Sequence, residues 1–329
     1  MTIDSNIKNW LQNLRTDRSN PWPDTVRNQA PHKPFLLLSI LDGIEQGWIT
    51  SNEVELSQKL IDTFFVYWNG IMGEHRFTTI ALPFFHMASE PFWKLSHRPG
   101  KERYKSSPSV GGLHDRVKFA VINPDLFELM ITDETRGAIQ SIITTQYFDS
   151  ETANKVLELS SVNFDANQYM KELELLVETK FVTHHSGKGK TKKVTVNQQV
   201  REKAFSDNIR KNYQYTCSVC KARVQTPTDN YIVEGAHIIP WGESYNDDPR
   251  NGISLCRNHH WLFDRSMMTI RPNFTVQLSP WLKKKINQWD EYQTILDSEI
   301  LLPSDSKFYP AIEALQHHNE EFEKAHKNI

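Results

Sequence analysis

Three cysteines and one histidine in the C-terminal half of the chain have the spacing of metal ligands. Cys217 and Cys220 are separated by two residues, and so are Cys256 and His259. Two such pairs, each on a tight turn, can supply four ligands in a tetrahedron, which is the arrangement of structural zinc. All cysteines of the chain belong to this set, so none remains for a disulfide. We predict a structural Zn²⁺ here; the alternative is that the cysteines are inert core residues.

A second set of residues is interleaved with the first and has the chemistry of phosphodiester hydrolysis. His237, Asn251 and His260 lie on the segments that the metal ligands would hold together. Hydrolysis needs an activated water, and neutral histidine is the side chain suited to this near pH 7. It also needs positive charge on the developing phosphorane and the departing oxygen, which a bound metal can supply. Taken alone, His237 is more often a structural histidine whose hydrogen bonds are satisfied.

The order of the short motifs around these residues resembles the HNH nucleases, which have a ββα-metal active site. The resemblance covers roughly residues 200–280 and rests on the segments Ala236-His237-Ile238-Ile239-Pro240, Asn251-Gly252 and His260-x-x-Phe263-Asp264. It implies two strands that carry the first His and the Asn, followed by a short helix that begins near Arg257 and carries the last His. The implied activity is metal-dependent hydrolysis of DNA.

The resemblance also implies a role for each residue of the second set. His237 would be the general base that deprotonates water, and Asn251 would hold the loop and the histidine in place. His260 would bind the scissile phosphate or a catalytic divalent cation, for which Mg²⁺, Mn²⁺, Co²⁺ and Ni²⁺ are the candidates.

The chain departs from the family at one metal-binding position. Many HNH sites have Asp or His directly before the general base, and here that residue is Ala236. Glu234, His260 or Asp264 could replace the missing ligand. His259 and His260 are adjacent, so their roles could be exchanged; the spacing from Cys256 favours His259 for zinc, and the family motif favours His260 for catalysis.

The length and the hydrophobic pattern of the chain predict the fold that positions these residues. A chain of 329 residues favours two domains. We predict an α+β protein, in which a mainly helical DNA-recognition domain precedes a small zinc-stabilised ββα-metal nuclease domain. The predicted domain ranges are 1–160 for recognition, 161–198 for a helical connector and basic linker, and 199–329 for the HNH domain with C-terminal helices.

The pattern around the predicted boundary favours two separate helices. Apolar residues recur at helical spacing over Glu151–Leu159 and again over Tyr169–Val182. Residues 186–193 follow as a glycine- and lysine-rich stretch without an acidic residue. Such a stretch is typical of a solvated tether, and it could also lie along DNA phosphates.

Two motifs in the first domain resemble the sulfur-binding domain of HNH restriction endonucleases that cut phosphorothioated DNA. The resemblance covers roughly residues 1–160 and rests on Pro31-His32-Lys33-Pro34 and, about fifty residues later, Leu82-Pro83-Phe84-Phe85-His86. In that family a proline and neighbouring side chains enclose the sulfur, which by position implies Pro83, with Leu82 and His86. The family's His-Arg pair corresponds to His32 and Lys33, and a lysine lacks the bidentate fork of arginine.

The chemistry of the phosphorothioate, which we call the mark, suits such a pocket. A backbone sulfur is larger and more polarizable than oxygen and accepts hydrogen bonds poorly, so apolar side chains suit it, while His32, Lys33 or Arg103 would answer the phosphate charge. The alternative is that Pro83 is only a turn residue and that Phe84 and Phe85 belong to the core.

Composition limits how this protein would meet DNA and where it would work. The formal net charge is −2, so positive charge must be local, and a recognition step is favoured over indiscriminate binding. Apolar runs are far too short to cross a bilayer, and the first residues lack the order of a signal peptide. Metal-like spacing of the cysteines favours a reducing compartment, so we expect a cytoplasmic protein without membrane partners.

The function that these patterns favour is a modification-dependent (type IV) restriction endonuclease acting on double-stranded DNA. A single HNH site cuts one strand, so double-strand cleavage would require a homodimer or two successive binding events. Two alternatives remain: an HNH endonuclease directed to methylated or hydroxymethylated bases, or a zinc-stabilised DNA-binding protein without catalysis.

Overall fold

The computed structural model divides the chain into two units. We call Met1–Phe164 the N-terminal unit; the C-terminal unit comprises Asp165–Thr226 and Tyr231–Ile329. The structure describes residues 3–73, 76–102, 109–184, 198–226, 231–285 and 289–327. The basic stretch 186–193 and Arg103 lie outside the described residues.

Helix α2 is the centre of the N-terminal unit. It spans His32–Glu45, and every residue from Lys33 to Ile44 is buried. Its apolar residues surround the helix axis, which is typical of a helix enclosed by other elements. The other helices of this unit are α1 (Ser5–Gln12), α3 (Gln58–Met72), α4 (Ala81–His86), α5 (Val110–Arg116), α6 (Pro124–Ile131), α7 (Asp133–Tyr147) and α8 (Ser150–Leu176), the last of which continues into the C-terminal unit.

A small antiparallel sheet accompanies these helices. Its strands are β1 (Glu53–Val54), β2 (Trp93–His97) and β3 (Val117–Ile122), in the order β1-β3-β2. Trp93 pairs with Ile122 and Leu95 with Ala120, and all four side chains are buried. Alternate residues of each strand thus face the helical core.

One carboxylate is buried in the middle of this core. Asp42, on α2, accepts hydrogen bonds from the Tyr67 hydroxyl (2.8 Å), the Ser160 hydroxyl (2.7 Å) and the Asn163 amide (3.1 Å). Burial raises the pKa of Asp42 to about 7, although its hydrogen bonds oppose the shift. The core therefore contains a group that titrates close to neutrality.

The C-terminal unit is built around a ββα element. Strands β4 (Val233–His237) and β5 (Gly252–Cys256) pair antiparallel, with His237 opposite Gly252, and helix α11 (Arg257–Asp264) follows β5 directly. The further elements are α9 (Gln198–Asn212), α10 (Trp241–Ser244), β6 (Met268–Ile270), β7 (Val276–Leu278), α12 (Pro280–Lys285), α13 (Trp289–Gln293) and α14 (Ile312–His326).

Two glycines allow α9 to lie directly on the β4–β5 hairpin. A Cβ added at Gly235 would come within 2.8 Å of the Ser206 Cα, and one at Gly252 within 2.2 Å of the Ile209 Cδ1. The close approach therefore depends on the missing side chains. It places Phe205 of α9 against the end of β4, where the functional site begins.

The prediction of an α+β protein is confirmed, and two local predictions are corrected. Residues predicted as separate helices form the single helix α8, because the polar residues between the two periodic segments do not interrupt it. Asn251 lies in a 3₁₀ turn, Pro249–Asn251, just before β5 and not on a strand. Among the described residues, the helices lack the length and apolar character needed to span a membrane.

Candidate nuclease site and recognition cavity

The structure brings the four predicted zinc ligands together. One potential ligand atom from each of Cys217, Cys220, Cys256 and His259 lies within 4.8 Å of all the others. The His259 Nδ1 is 3.1 Å from the Cys256 Sγ and 3.5 Å from the Cys217 Sγ. Three sulfurs and one imidazole nitrogen at these separations match the donor set of a structural zinc site.

The local backbone explains how the first pair of ligands converges. The amide of Cys217 donates to the carbonyl of Ala222 (3.0 Å), and the amide of Lys221 donates to the carbonyl of Cys217 (2.9 Å). Lys221 adopts a left-handed conformation with φ of 59°. These hydrogen bonds close a tight turn, so the Cys217 and Cys220 side chains point to the same side.

His237 lies at the end of β4 and is restrained on its face and at one ring nitrogen. Its ring stacks on Phe205, with centroids 3.7 Å apart and planes inclined by 5°. Its Nε2 lies 2.9 Å from the Asp247 Oδ1. Its side chain is 18% exposed, so water can reach it.

Asp247 was not identified from the sequence. It is buried in the segment between α10 and the 3₁₀ turn, and it also contacts Arg201 and Tyr169. Its distance of ten residues from His237 follows no motif spacing. A usable signal was present on α9, because Arg201 and Phe205 are four residues apart and therefore share one helix face.

Asn251 is fully buried and holds the connection between β4 and β5. Its Oδ1 accepts from the amide of Ile239 (2.9 Å). Its Nδ2 donates to the carbonyl of Ile239 (3.0 Å) and to the carbonyl of Asn246 (3.0 Å). The side chain thus replaces a pair of backbone hydrogen bonds and fixes the loop that follows His237.

His260 lies beside carboxylates and apart from the cysteines. Its Nδ1 is 3.0 Å from the Glu234 Oε2, and its Nε2 is 3.4 Å from the Asp264 Oδ2. Arg257 also contacts Glu234, at 3.3 Å. Ala236 is buried in β4 and offers no ligand. Within the described part of the chain, these groups do not form a second cluster as tight as that of the cysteines.

A cavity of about 610 Å³ in the N-terminal unit collects five of the six residues predicted to bind the mark. His32, Lys33, Leu82, Pro83 and His86 all line it. The sixth, Arg103, lies outside the described residues. Pro83 is in the first turn of α4, where a missing N–H costs no helical hydrogen bond.

The two polar residues of α2 in this cavity, His32 and Lys33, carry little uncompensated charge. Burial, and secondarily the charge of Arg76, lower the pKa of His32 to about 4. Lys33 is 5% exposed and forms an ion pair with Glu90, and its Nζ also donates to the Ser89 hydroxyl (2.9 Å). Burial lowers the pKa of Lys33. We therefore expect these residues to shape the wall, with little net charge facing a ligand.

The rest of the cavity wall combines aromatic side chains with an exposed cation. Phe77 is 86% exposed and Trp22 is half-buried, and both line the cavity. The Arg76 guanidinium lies 4.2 Å from the centroid of the Trp22 ring. Arg15, which is exposed, also lines the cavity. Sequence reasoning missed Arg15, Trp22 and Phe77, which belong to no motif.

A family model agrees with the geometry of the C-terminal unit. The family model described as HNH endonuclease matches residues 217–271. The chain is similar to a solved structure, the modification dependent TagI restriction endonuclease, with 20% sequence identity and a TM-score of 0.27, over 36% of each chain. A search of curated proteins gives no match. Residues 217–271, which contain the zinc-type cluster together with His237, Asn251 and His260, are an HNH endonuclease domain.

Proposed function

We propose that this protein is a modification-dependent restriction endonuclease that recognises phosphorothioated DNA through its N-terminal unit. The observation that supports the proposal is that His32, Lys33, Leu82, Pro83 and His86, which come from two distant motifs, line one cavity. An HNH endonuclease domain in the same chain supplies the means to cut.

The character of the cavity wall suits a sulfur-bearing phosphate. Leu82 and the Pro83 ring provide an apolar surface, which costs little when it meets a poor hydrogen-bond acceptor. Because the charge of Lys33 is compensated by Glu90, Arg15 is the cation among the described residues of the wall that would compensate the phosphate charge. This assignment changes the expectation that His32 or Lys33 would supply that charge.

The proposed chemistry uses the groups around His237. The neutral His237 ring takes a proton from a water molecule, and the resulting hydroxide attacks the scissile phosphorus. The bond between phosphorus and the 3′-oxygen breaks, and the departing oxygen takes a proton from solvent. Asn251 keeps the loop after His237 in place through its three backbone contacts. The expected products carry a 5′-phosphate and a 3′-hydroxyl, as the family resemblance implies.

Two metal sites belong to this proposal. Cys217, Cys220, Cys256 and His259 would hold a structural Zn²⁺. His260, with Glu234 or Asp264, offers the nitrogen and oxygen donors that suit Mg²⁺, Mn²⁺, Co²⁺ or Ni²⁺. When bound, such a cation stabilises negative charge on the phosphorane and the departing oxygen.

A second candidate function, recognition of a modified base, is favoured by the size and aromatic lining of the same cavity. A volume of about 610 Å³ exceeds what one sulfur atom needs, and Trp22 and Phe77 line it. Ligand pockets of roughly 300–1,000 Å³ accept small organic groups, and a flipped methylated base would stack between aromatic side chains.

A paired binding assay separates these possibilities. Two short duplexes of the same sequence are compared at one salt concentration, one of them with a single phosphorothioate, and a third carries methylcytosine. We expect the wild-type protein to prefer the phosphorothioate duplex by about a hundredfold, which corresponds to about 2.7 kcal/mol.

Two matched variants test whether Pro83 is responsible for that preference. Pro83→Ala should abolish it, whereas Pro91→Ala, which changes an exposed proline outside the cavity lining, should retain it. Equal binding to the phosphorothioate and unmodified duplexes would exclude a phosphorothioate mark. Preference for the methylated duplex would establish the second candidate.

A further inference from the structure

The Asp247 carboxylate is the meeting point of three side chains from separate elements. Its Oδ1 lies 2.9 Å from the His237 Nε2 and accepts a hydrogen bond from the Arg201 Nη1 (2.9 Å). Its Oδ2 accepts from the Tyr169 hydroxyl (3.1 Å). Asp247 itself is only 5% exposed. A buried carboxylate with partners on both oxygens has little freedom to rotate.

We infer that Asp247 is a positioning residue that sets the tautomer of His237. An ionised carboxylate can only accept hydrogen bonds, so the Nε2 that faces it must carry the proton. The neutral ring then has its lone pair on Nδ1. Within the described residues, the Nδ1 of His237 has no hydrogen-bond partner, and this is the atom that would take the proton from water.

The face of the ring is restrained independently. Phe205 stacks on it almost in parallel, and α9 can bring Phe205 there because Gly252 has no side chain. Stacking opposes rotation of the ring about the Cβ–Cγ bond, and the bond to Asp247 selects the ring edge that faces the carboxylate. Together the two contacts aim Nδ1 in one direction.

Two further side chains contact the carboxylate that faces His237. Arg201, from α9, is buried, shares Oδ1 with His237 and lies 4.0 Å from the centroid of the Trp241 ring. Its positive charge compensates the negative charge of the Asp247 carboxylate. Tyr169, from α8, provides a neutral donor. These are the titratable and charged side chains that contact Asp247 beside His237.

This inference rests on the proposed role of His237 as general base, so its test uses a readout that needs no activity. ¹⁵N-histidine NMR of the full-length protein, with the His237 signals assigned by their loss in His237→Ala, reports which ring nitrogen carries the proton. We expect the Nε2–H tautomer in the wild type. Asp247→Asn, whose amide can also donate to Nε2, should give a mixture of tautomers.

Single-turnover cleavage provides the second readout. We expect Asp247→Asn to lower the rate by about 10- to 100-fold and to move the acidic limb of the pH–rate profile to lower pH, because the imidazolium loses its anionic partner. Asp247→Glu keeps the charge and should recover part of the rate. Circular dichroism verifies that each variant is folded.

Asp248→Asn is the matched control. Asp248 is the adjacent buried carboxylate, but its partner is Arg250, and it makes no contact with His237. This variant should keep the wild-type tautomer and the wild-type acidic limb. The inference is overturned if wild-type His237 is protonated on Nδ1, or if folded Asp247→Asn retains both the tautomer and the limb. Absence of cleavage in every protein, with the expected tautomers, would contradict the nuclease proposal and leave the role of Asp247 standing.

Discussion

At the scale of single residues, two adjacent histidines have separate surroundings because they lie on a helix. Successive side chains on α11 project about 100° apart. His259 therefore faces the three cysteines, while His260 faces Glu234 and Asp264. Helical geometry thus gives the two side chains different neighbours, although they are adjacent in the sequence.

Replacing each histidine in turn tests this division. His259→Ala should reduce bound zinc and lower stability by several kcal/mol, because a structural site contributes its binding energy to folding. His260→Ala is the matched control and should retain zinc and stability while losing cleavage. Elemental analysis and thermal melting of both variants make the comparison. Equal zinc loss in the two variants would contradict the assignment.

The sequence indicated candidate site residues through short motifs, but it did not indicate the side chains that contact and support them. The zinc-type ligands, His237, Asn251 and His260 could be named because motif spacing reflects one turn, one strand pair and one helix. Asp247 and Arg201 could not be named, because the contacts of Asp247 with His237, Arg201 and Tyr169 depend on how α8 and α9 pack. In the cavity, Arg15 was missed for the same reason.

At the scale of elements, the position of α9 on the β4–β5 hairpin determines the surroundings of His237. The glycine pattern of the hairpin could be seen in the sequence, but its meaning depends on the helix above it. A side chain at Gly235 would meet the backbone of Ser206, which cannot rotate away. The hairpin and helix would have to separate.

Gly235→Ala should therefore destabilise the protein by about 1–3 kcal/mol, the usual cost of overpacking. Gly242→Ala is the matched control, because a Cβ there has no atom within 4 Å, and its effect should stay within about 0.5 kcal/mol. Denaturant unfolding of both variants measures the difference. A Gly235→Ala protein as stable as Gly242→Ala would show that α9 can move at no cost.

The raised pKa of Asp42, which is buried on helix α2, should make the stability of the protein depend on pH. The pKa of Asp42 is about 7 in the folded protein, and the ordinary aspartate value of 3.8 applies to the unfolded chain. Between about pH 4 and pH 7 the folded state therefore holds a proton that the unfolded chain has released. Its contribution to stability is fully present below about pH 4 and is lost as the pH rises through 7. The difference of about three pKa units corresponds to a loss of about 4 kcal/mol, at about 1.4 kcal/mol per pKa unit.

Asp42→Asn should remove this dependence. Unfolding free energies of the wild type, Asp42→Asn and the control Asp125→Asn, which changes an exposed carboxylate, are measured at several pH values in that window. We expect the difference between the wild type and Asp42→Asn to change with pH and that between the wild type and Asp125→Asn to stay nearly constant. A constant difference for Asp42→Asn would mean that Asp42 is ionised throughout.

At the scale of the whole molecule, the chain divides its proposed work between two units. The net charge of −2 gives little general attraction to DNA, so the account relies on a specific mark to bring DNA to the HNH domain. The α+β class could be predicted from the sequence because helical periodicity and the HNH motif occupy different parts of the chain. The continuity of α8 could not, because local periodicity does not reveal whether polar residues between two segments break a helix.

A comparison of cleavage rates on marked and unmarked DNA tests directly whether a phosphorothioate directs cleavage by the HNH domain. Wild-type protein, His237→Ala and Pro83→Ala are incubated with Mg²⁺ or Mn²⁺ and two duplexes of the same sequence, one of which contains a phosphorothioate. We expect the wild type to cut the marked duplex at least about a hundredfold faster, His237→Ala to cut neither duplex, and Pro83→Ala to lose the preference. Equal cleavage of both duplexes by the wild type, or unchanged cleavage by His237→Ala, would contradict it.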